Sequence, residues 1–220
     1  MRLQRQTQPL RMILTGGAGS GKSTAIRAIV RARREKAARR LWRVRDEKRK
    51  QQRLKYTCIL SSPTGTASFQ MKYGATTAHR AWGIGPFNFL PLTKGRPAVA
   101  RLNAMVGDGD LAIFDEFSML GKAFIGKVLY RAREVDPGTD ASLAGLDCIA
   151  AGHAAQATPI GDDPLFKPGG YTGKSTNRAP DNYRGKVAPP STTELVDDAK
   201  LFLAEFEDVV ALLETHRVEE

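Results

Sequence analysis

The run Gly16-Gly17-Ala18-Gly19-Ser20-Gly21-Lys22-Ser23-Thr24 follows the spacing G-x-x-x-x-G-K-[ST] at every required position. Glycines let the backbone bend until successive N–H groups point inward, and such a cradle holds phosphate oxygens. A lysine at the place of Lys22 reaches the outer phosphates of a nucleoside triphosphate. The Ser23 hydroxyl beside it is a hard oxygen ligand for Mg²⁺. A second chemistry is written at Asp115-Glu116, which directly follow the apolar run Leu111-Ala112-Ile113-Phe114. A carboxylate at the end of a buried strand holds Mg²⁺ directly or through water, the role assigned to Asp115. The next carboxylate, Glu116, is placed to orient and polarise an attacking water, which separates hydrolysis from mere binding. Gly173-Lys174-Ser175-Thr176 imitates a second loop, but Pro168 stands where the first glycine is required and no strand precedes it.

These residues need a scaffold of alternating strands and helices. Arg11–Thr15 reads as a short buried strand, and Ala25–Val30 begins a helix, so the loop sits between them as a helix N-terminus. Further strands are expected at Tyr56–Ser61, Leu111–Phe114, Asp147–Ala151 and Asp208–Leu213. Helices are expected at Thr66–Met71, Met119–Arg133 and Thr192–Phe206. Residues 82–97 and 161–190 read as loops, the second long, polar and rich in Gly, Pro and Asn. The alternation implies an α/β fold with a parallel sheet flanked by helices, in one P-loop NTPase domain spanning residues 1–220.

Composition bounds the classes that remain. The chain has 220 residues, 41% apolar and 26% charged, as soluble globular domains do. No apolar run reaches the length of a membrane span. Cleavage of a presequence of ordinary length would remove the loop at Gly16, so no cleaved targeting segment is expected. Cys58 and Cys148 fall in buried strands, which suits a reduced compartment without a disulfide. The net charge of +11 is localised: residues 27–55 hold fourteen basic side chains against Glu35, Asp46 and Glu47, an excess equal to that of the whole chain. As one helix from Ser23 to Gln52 this segment would run roughly 45 Å. It is either a solvated charged helix or insertion, or a contact for a polyanion such as nucleic acid.

Four blocks together carry a resemblance. Gly16 to Thr24, Ser62-Pro63-Thr64-Gly65-Thr66-Ala67, Thr76-Thr77-Ala78-His79-Arg80 and Asp115-Glu116-Phe117-Ser118-Met119 resemble the Pif family of superfamily-one DNA helicases, which has RecD-like relatives. The resemblance extends from Arg11 to Arg217 and implies a RecA-like motor domain using ATP and Mg²⁺. It also implies single-stranded DNA and DNA junctions as partners, 5′→3′ movement, and a place in repair, recombination and telomere maintenance. By the same likeness Pro63, Thr64, Gly65, Thr77 and His79 contact the DNA backbone. Gly152-His153-Ala154-Ala155-Gln156-Ala157-Thr158-Pro159 matches the family's γ-phosphate-sensing element with His153 in place of an Asp, which makes Gln156 the sensor. It fits better than Gly161-Asp162-Asp163-Pro164, which no Gln follows. The closing Val209 to Arg217 run makes Arg217 the arginine that stabilises charge on the transferring phosphoryl group. Trp82, Phe87 and Phe89 are either base-stacking or packing residues.

Two parts of the family pattern do not occur in this sequence: an adenine-reading Gln element upstream, and the second motor domain that unwinding requires. The resemblance therefore implies a fragment holding the first motor domain, weakly active or inactive alone. An RNA or viral-type superfamily-one helicase and a non-catalytic nucleic-acid-binding remnant are the alternatives. A nuclear location is expected from the basic segment, with the mitochondrion as alternative.

Overall fold

A chain that leaves a strand, forms a helix and returns to the sheet enters it parallel, and this sequence does so repeatedly. The computed structural model describes residues 8–85, 89–92, 97–153, 157–174, 177, 183, 185 and 187–214. Six strands form one sheet: β1 (Arg11–Gly16), β2 (Cys58–Ser62), β3 (Thr76–Thr77), β4 (Leu111–Phe114), β5 (Asp147–Gly152) and β6 (Asp208–Leu212). Their order is β3-β2-β4-β5-β1-β6, and every pairing is parallel. The helices are α1 (Lys22–Arg40), α2 (Glu47–Tyr56), α3 (Gly65–Met71), α4 (Ala78–Trp82), α5 (Pro97–Asp108), α6 (Lys122–Val135) and α7 (Thr192–Ala204).

The inner strands read as apolar runs because both faces are covered. Along β4, Leu111 and Ile113 face one cluster, with Ile26 and Val30 of α1. Ala112 and Phe114 face the other, with Leu102, Ile125, Leu195 and Phe202 from α5, α6 and α7. β5 divides likewise, Ile149 and Ala151 to the first cluster and Cys148 and Ala150 to the second. Gly126 allows α6 and α7 to touch: a Cβ there would lie 2.0 Å from the Leu195 carbonyl oxygen. Burial pushes the thiol pKa of Cys58 up to about 11 and that of Cys148 up to about 12, and both are free. Arg11 is buried at the amino edge of the sheet, its guanidinium on Glu205 at 2.8 Å and on the Leu146 carbonyl at 2.6 Å.

The helices depart from the expected ones at residues 27–55, at α4 and at α5. Residues 27–55 do not form a single helix. Buried Leu41 ends α1, its N–H donating to the Ala37 and Ala38 carbonyls. The Asp46 carboxylate then accepts from the Arg49 N–H and starts α2 afresh. Helix α5, which the sequence reading did not assign, buries Leu102, Met105 and Val106 on one face at helical spacing. Among the described residues no helix is long and apolar enough to cross a membrane.

Candidate active site

In a parallel sheet all strands end on one side, so loops that follow different strands meet there. Gly16 ends β1, Pro63 follows β2, Thr77 ends β3, Asp115 follows β4 and His153 follows β5. The candidate residues thus share the carboxyl edge of the sheet.

The turn from Gly17 to Gly21 joins β1 to α1. Gly21 is the N-cap of α1 in the left-handed region (φ 90°), and no side chain caps that helix. A polar side chain could have taken the first-turn N–H groups; a glycine leaves them to an incoming anion. Gly16 is required by close approach, since a Cβ would lie 2.8 Å from the Leu212 carbonyl oxygen of β6 and 2.4 Å from Ser20 Oγ. Lys22 is buried and its ammonium donates to the Gly16 and Gly17 carbonyls at 2.6 and 2.8 Å. Ser20 Oγ is buried without a partner among the described residues, a polar atom turned into the loop it belongs to. Ser23 and Thr24 are exposed at the start of α1.

Asp115 is buried, its N–H bonded to the Ser61 carbonyl of β2 at 2.8 Å. Burial, and secondarily the charge of Glu116, raise its pKa, while the Glu116 backbone and Lys22 oppose the rise. A carboxylate held in that setting favours a nearby cation. Glu116 adopts the left-handed conformation (φ 49°), unusual for a non-glycine residue, and starts a 3₁₀ turn over Phe117–Met119. That turn lies against β5, where a Cβ on Gly152 would come within 3.1 Å of the Phe117 nitrogen. Beside it is a cavity of about 40 Å³ walled by Thr15, Ser118, Gly152, His153 and Phe166 among others. Ser118 Oγ is buried there without a partner among the described residues.

The donor set fits a magnesium nucleotide. Mg²⁺ takes oxygen ligands and is commonly held by one or two side chains plus substrate phosphates, which Ser23 and Asp115 can supply. Among the described residues no group of three or more His, Cys, Asp or Glu could hold a metal by itself.

The candidate nucleic-acid residues follow β2, the neighbour of β4, and the edge strand β3. Register Ser62↔Thr77 sets Pro63, Thr64 and Gly65 beside Thr77 and His79. Each threonine caps a helix: Thr64 Oγ1 accepts from the Ala67 N–H at 3.2 Å, and Thr77 Oγ1 from the Arg80 N–H at 3.3 Å. Both hydroxyls keep an O–H to donate. The His79 ring packs on Phe124, centroids 4.5 Å apart, and burial together with the Lys127 charge lowers its pKa. Phe124 and Lys127 come from α6, a distant segment, and no local signal in the sequence reveals them. Trp82 and Phe89 are core residues, Trp82 stacked on Phe114 and Phe89 beneath the Arg131 guanidinium, so neither is free to stack on a base. Gln156, Arg217 and Phe87 lie outside the described residues. The Gly161-Asp162-Asp163 stretch has another use: the Asp162 carboxylate accepts from the Ala123 and Phe124 N–H groups and caps α6, whose own N-cap is Gly121.

A family model described as an AAA domain matches residues 3–159. The chain belongs to the AAA domain family. No curated protein matches this AAA domain chain in sequence. Among solved structures, Bacteroides Pif1 bound to single-stranded DNA is 19% identical with a TM-score of 0.58, over 98% of this chain and 40% of that one. Bacteroides Pif1 in complex with ADP-AlF4 is 18% identical with a TM-score of 0.53, over 98% and 40%. The Pif1 helicase from Candida albicans is 15% identical with a TM-score of 0.58, over 93% and 36%. The AAA domain described here therefore has the fold found in Pif1 helicases, and it spans about 40% of the length of the Bacteroides chains it matches.

Proposed function

We propose that the chain is an ATP-dependent helicase motor domain that couples ATP hydrolysis to its grip on single-stranded DNA. One observation carries this reading: Lys22, Asp115 and Glu116 lie on the same sheet edge as Pro63–Gly65 and Thr77–His79, joined through adjacent strands β2 and β4. The Asp115 N–H bonded to the Ser61 carbonyl links the hydrolytic side directly to the strand that leads into Pro63. Lys22 and the α1 N-terminus hold the triphosphate, and Ser23 and Asp115 hold Mg²⁺. The metal, when bound, neutralises charge building on the phosphate oxygens. Glu116 orients the attacking water and takes its proton. Gln156 and Arg217 are proposed, from the family resemblance, as γ-phosphate sensor and charge stabiliser.

Thr64, Gly65, Thr77 and His79 offer small hydroxyl, backbone and ring N–H donors, which follow a phosphate backbone without reading bases. With its lowered pKa His79 is neutral near pH 7 and acts as a donor rather than a cation. The relatives solved with single-stranded DNA and with ADP-AlF4 support these two ligands. Movement 5′→3′, roles in repair, recombination and telomere maintenance, a second motor domain and a nuclear location are proposed from the resemblance and the basic segment.

The test measures binding of a fluorescent ATP analogue and ATP turnover, with and without single-stranded DNA. Lys22→Ala is expected to lower turnover by about 10²–10³, the usual loss when one preorganised donor to a reacting oxygen is removed. A chain that binds no nucleotide at millimolar concentration overturns the reading, and turnover stimulated by RNA alone replaces DNA with RNA.

A further inference from the structure

From Arg33 onward the basic excess of residues 27–55 lies away from the phosphate loop, whereas Arg27 still bonds to Thr24 Oγ1 at 3.2 Å. Helix α1 begins at the carboxyl edge with Lys22, and its last core residue before the corner is Val30. Arg33 already reaches the amino edge, where its guanidinium pairs at 2.9 Å with Asp147, the first residue of β5. The remainder of α1 overhangs the sheet by about 10 Å, at 1.5 Å per residue from Arg33 to Arg40. The chain turns there and comes back through α2 to the start of β2.

All three acidic residues of the segment are engaged. Glu35 pairs with Arg31, Glu47 with Lys50, and Asp46 caps α2. Among the described residues Lys36, Arg39, Arg40, Arg45, Lys48 and Arg49 have no carboxylate partner, and all six are exposed. Trp42 stands in their midst, 67% exposed, with the Arg43 guanidinium 4.9 Å from the ring centroid. The indole therefore offers an aromatic face to solvent in the midst of cations.

We infer that this α1–α2 corner is a second site for single-stranded nucleic acid, in which the guanidinium and ammonium groups hold phosphates and Trp42 stacks on a base. A ring with a cation on one face and solvent on the other suits an unpaired base, whereas the bases of a duplex are already stacked. The site stands about 28 Å from the phosphate loop, the length of α1 at 1.5 Å per residue, so its grip is independent of bound nucleotide. It does not rest on the helicase reading.

The chain has two tryptophans, and Trp82 is fully buried, so the change in emission when an oligonucleotide is added reads Trp42 at the corner. Titration with short oligo-dT is expected to quench that emission, equally with and without ATP and in Lys22→Ala. Measured by anisotropy of labelled oligo-dT in a His79→Ala background, Trp42→Ala is expected to weaken binding about tenfold. Replacing Arg39, Arg43 and Arg49 by Gln is expected to flatten the log–log salt slope by about 2. Far-UV circular dichroism checks the fold of each variant. Unchanged Trp42 emission with oligo-dT overturns the proposal, as does equal quenching by blunt duplex. A shift produced by phosphatidylserine vesicles and not by oligo-dT overturns it in favour of a membrane surface. Loss of ATP turnover in Lys22→Ala bears on the helicase reading and leaves this one standing.

Discussion

Asp115 and Glu116 are neighbours in sequence with opposite settings. Asp115 is buried at the end of β4, and its raised pKa means that burial opposes its charged form. A carboxyl whose folded pKa lies above its unfolded one stabilises the fold at low pH and loses that contribution as pH rises through the folded value. Near neutrality Asp115 therefore costs stability, and Asp115→Asn is expected to raise Tm while abolishing magnesium-dependent turnover. For a chain of this length each kcal/mol released corresponds to about 2–4 °C, which thermal unfolding in EDTA can read. Glu116 pays for a left-handed backbone instead. Glu116→Gln is expected to leave nucleotide binding intact and to lower turnover by about 10²–10⁴, separable by binding and single-turnover measurements. The types and spacing at Gly16–Thr24 and Asp115-Glu116 were readable in the sequence because strand–loop–helix chemistry is local. The Ser61 carbonyl under Asp115 and the Phe124 ring under His79 were not, since each joins segments far apart along the chain.

At the scale of elements, α6 shows how a loop and a helix share one polar end. Its N-terminal N–H groups are taken by Asp162, and Asp163 holds the same loop through the Thr172 N–H at 2.6 Å and the Lys167 ammonium at 2.9 Å. Those donors, led by the Thr172 backbone, hold the Asp163 pKa down to about 2 against an ordinary 3.8. A lowered carboxyl pKa gives stability above the unfolded value that fades as pH falls toward the folded one. Protection of the 161–174 amides against hydrogen exchange is accordingly expected to fade between about pH 4 and pH 2, and in Asp163→Asn to be reduced at pH 7. At the other side of α6, Gly126→Val drives a side chain into the Leu195 carbonyl and is expected to cost about 1–3 kcal/mol in urea unfolding, with nucleotide binding retained at low denaturant. Five strands were legible as β-forming runs, but the two-residue β3, Thr76–Thr77, carries no apolar run to show it. The break at Leu41–Asp46 was hidden among helix-forming charged residues. Tertiary burial of Leu41 ends α1 there, and the Asp46 cap starts α2.

For the whole molecule, the decisive arrangement is the sheet order, which sequence cannot supply. Motifs read one by one became a candidate site only because β3-β2-β4-β5-β1-β6 brings their strand ends to one edge. The same order sets β6 at the outer edge, paired with β1 from Met12↔Asp208 to Gly16↔Leu212. Its valines, Val209 and Val210, are exposed at 61% and 42%. Leu212 thus meets the first glycine of the phosphate loop, close enough that Gly16 has no room for a Cβ. In mechanical terms β6 is a lever arm clamped along β1. A pull along β6 loads that pairing in shear, and its last rung, Leu212 on Gly16, is the one that borders the Gly17–Gly21 turn.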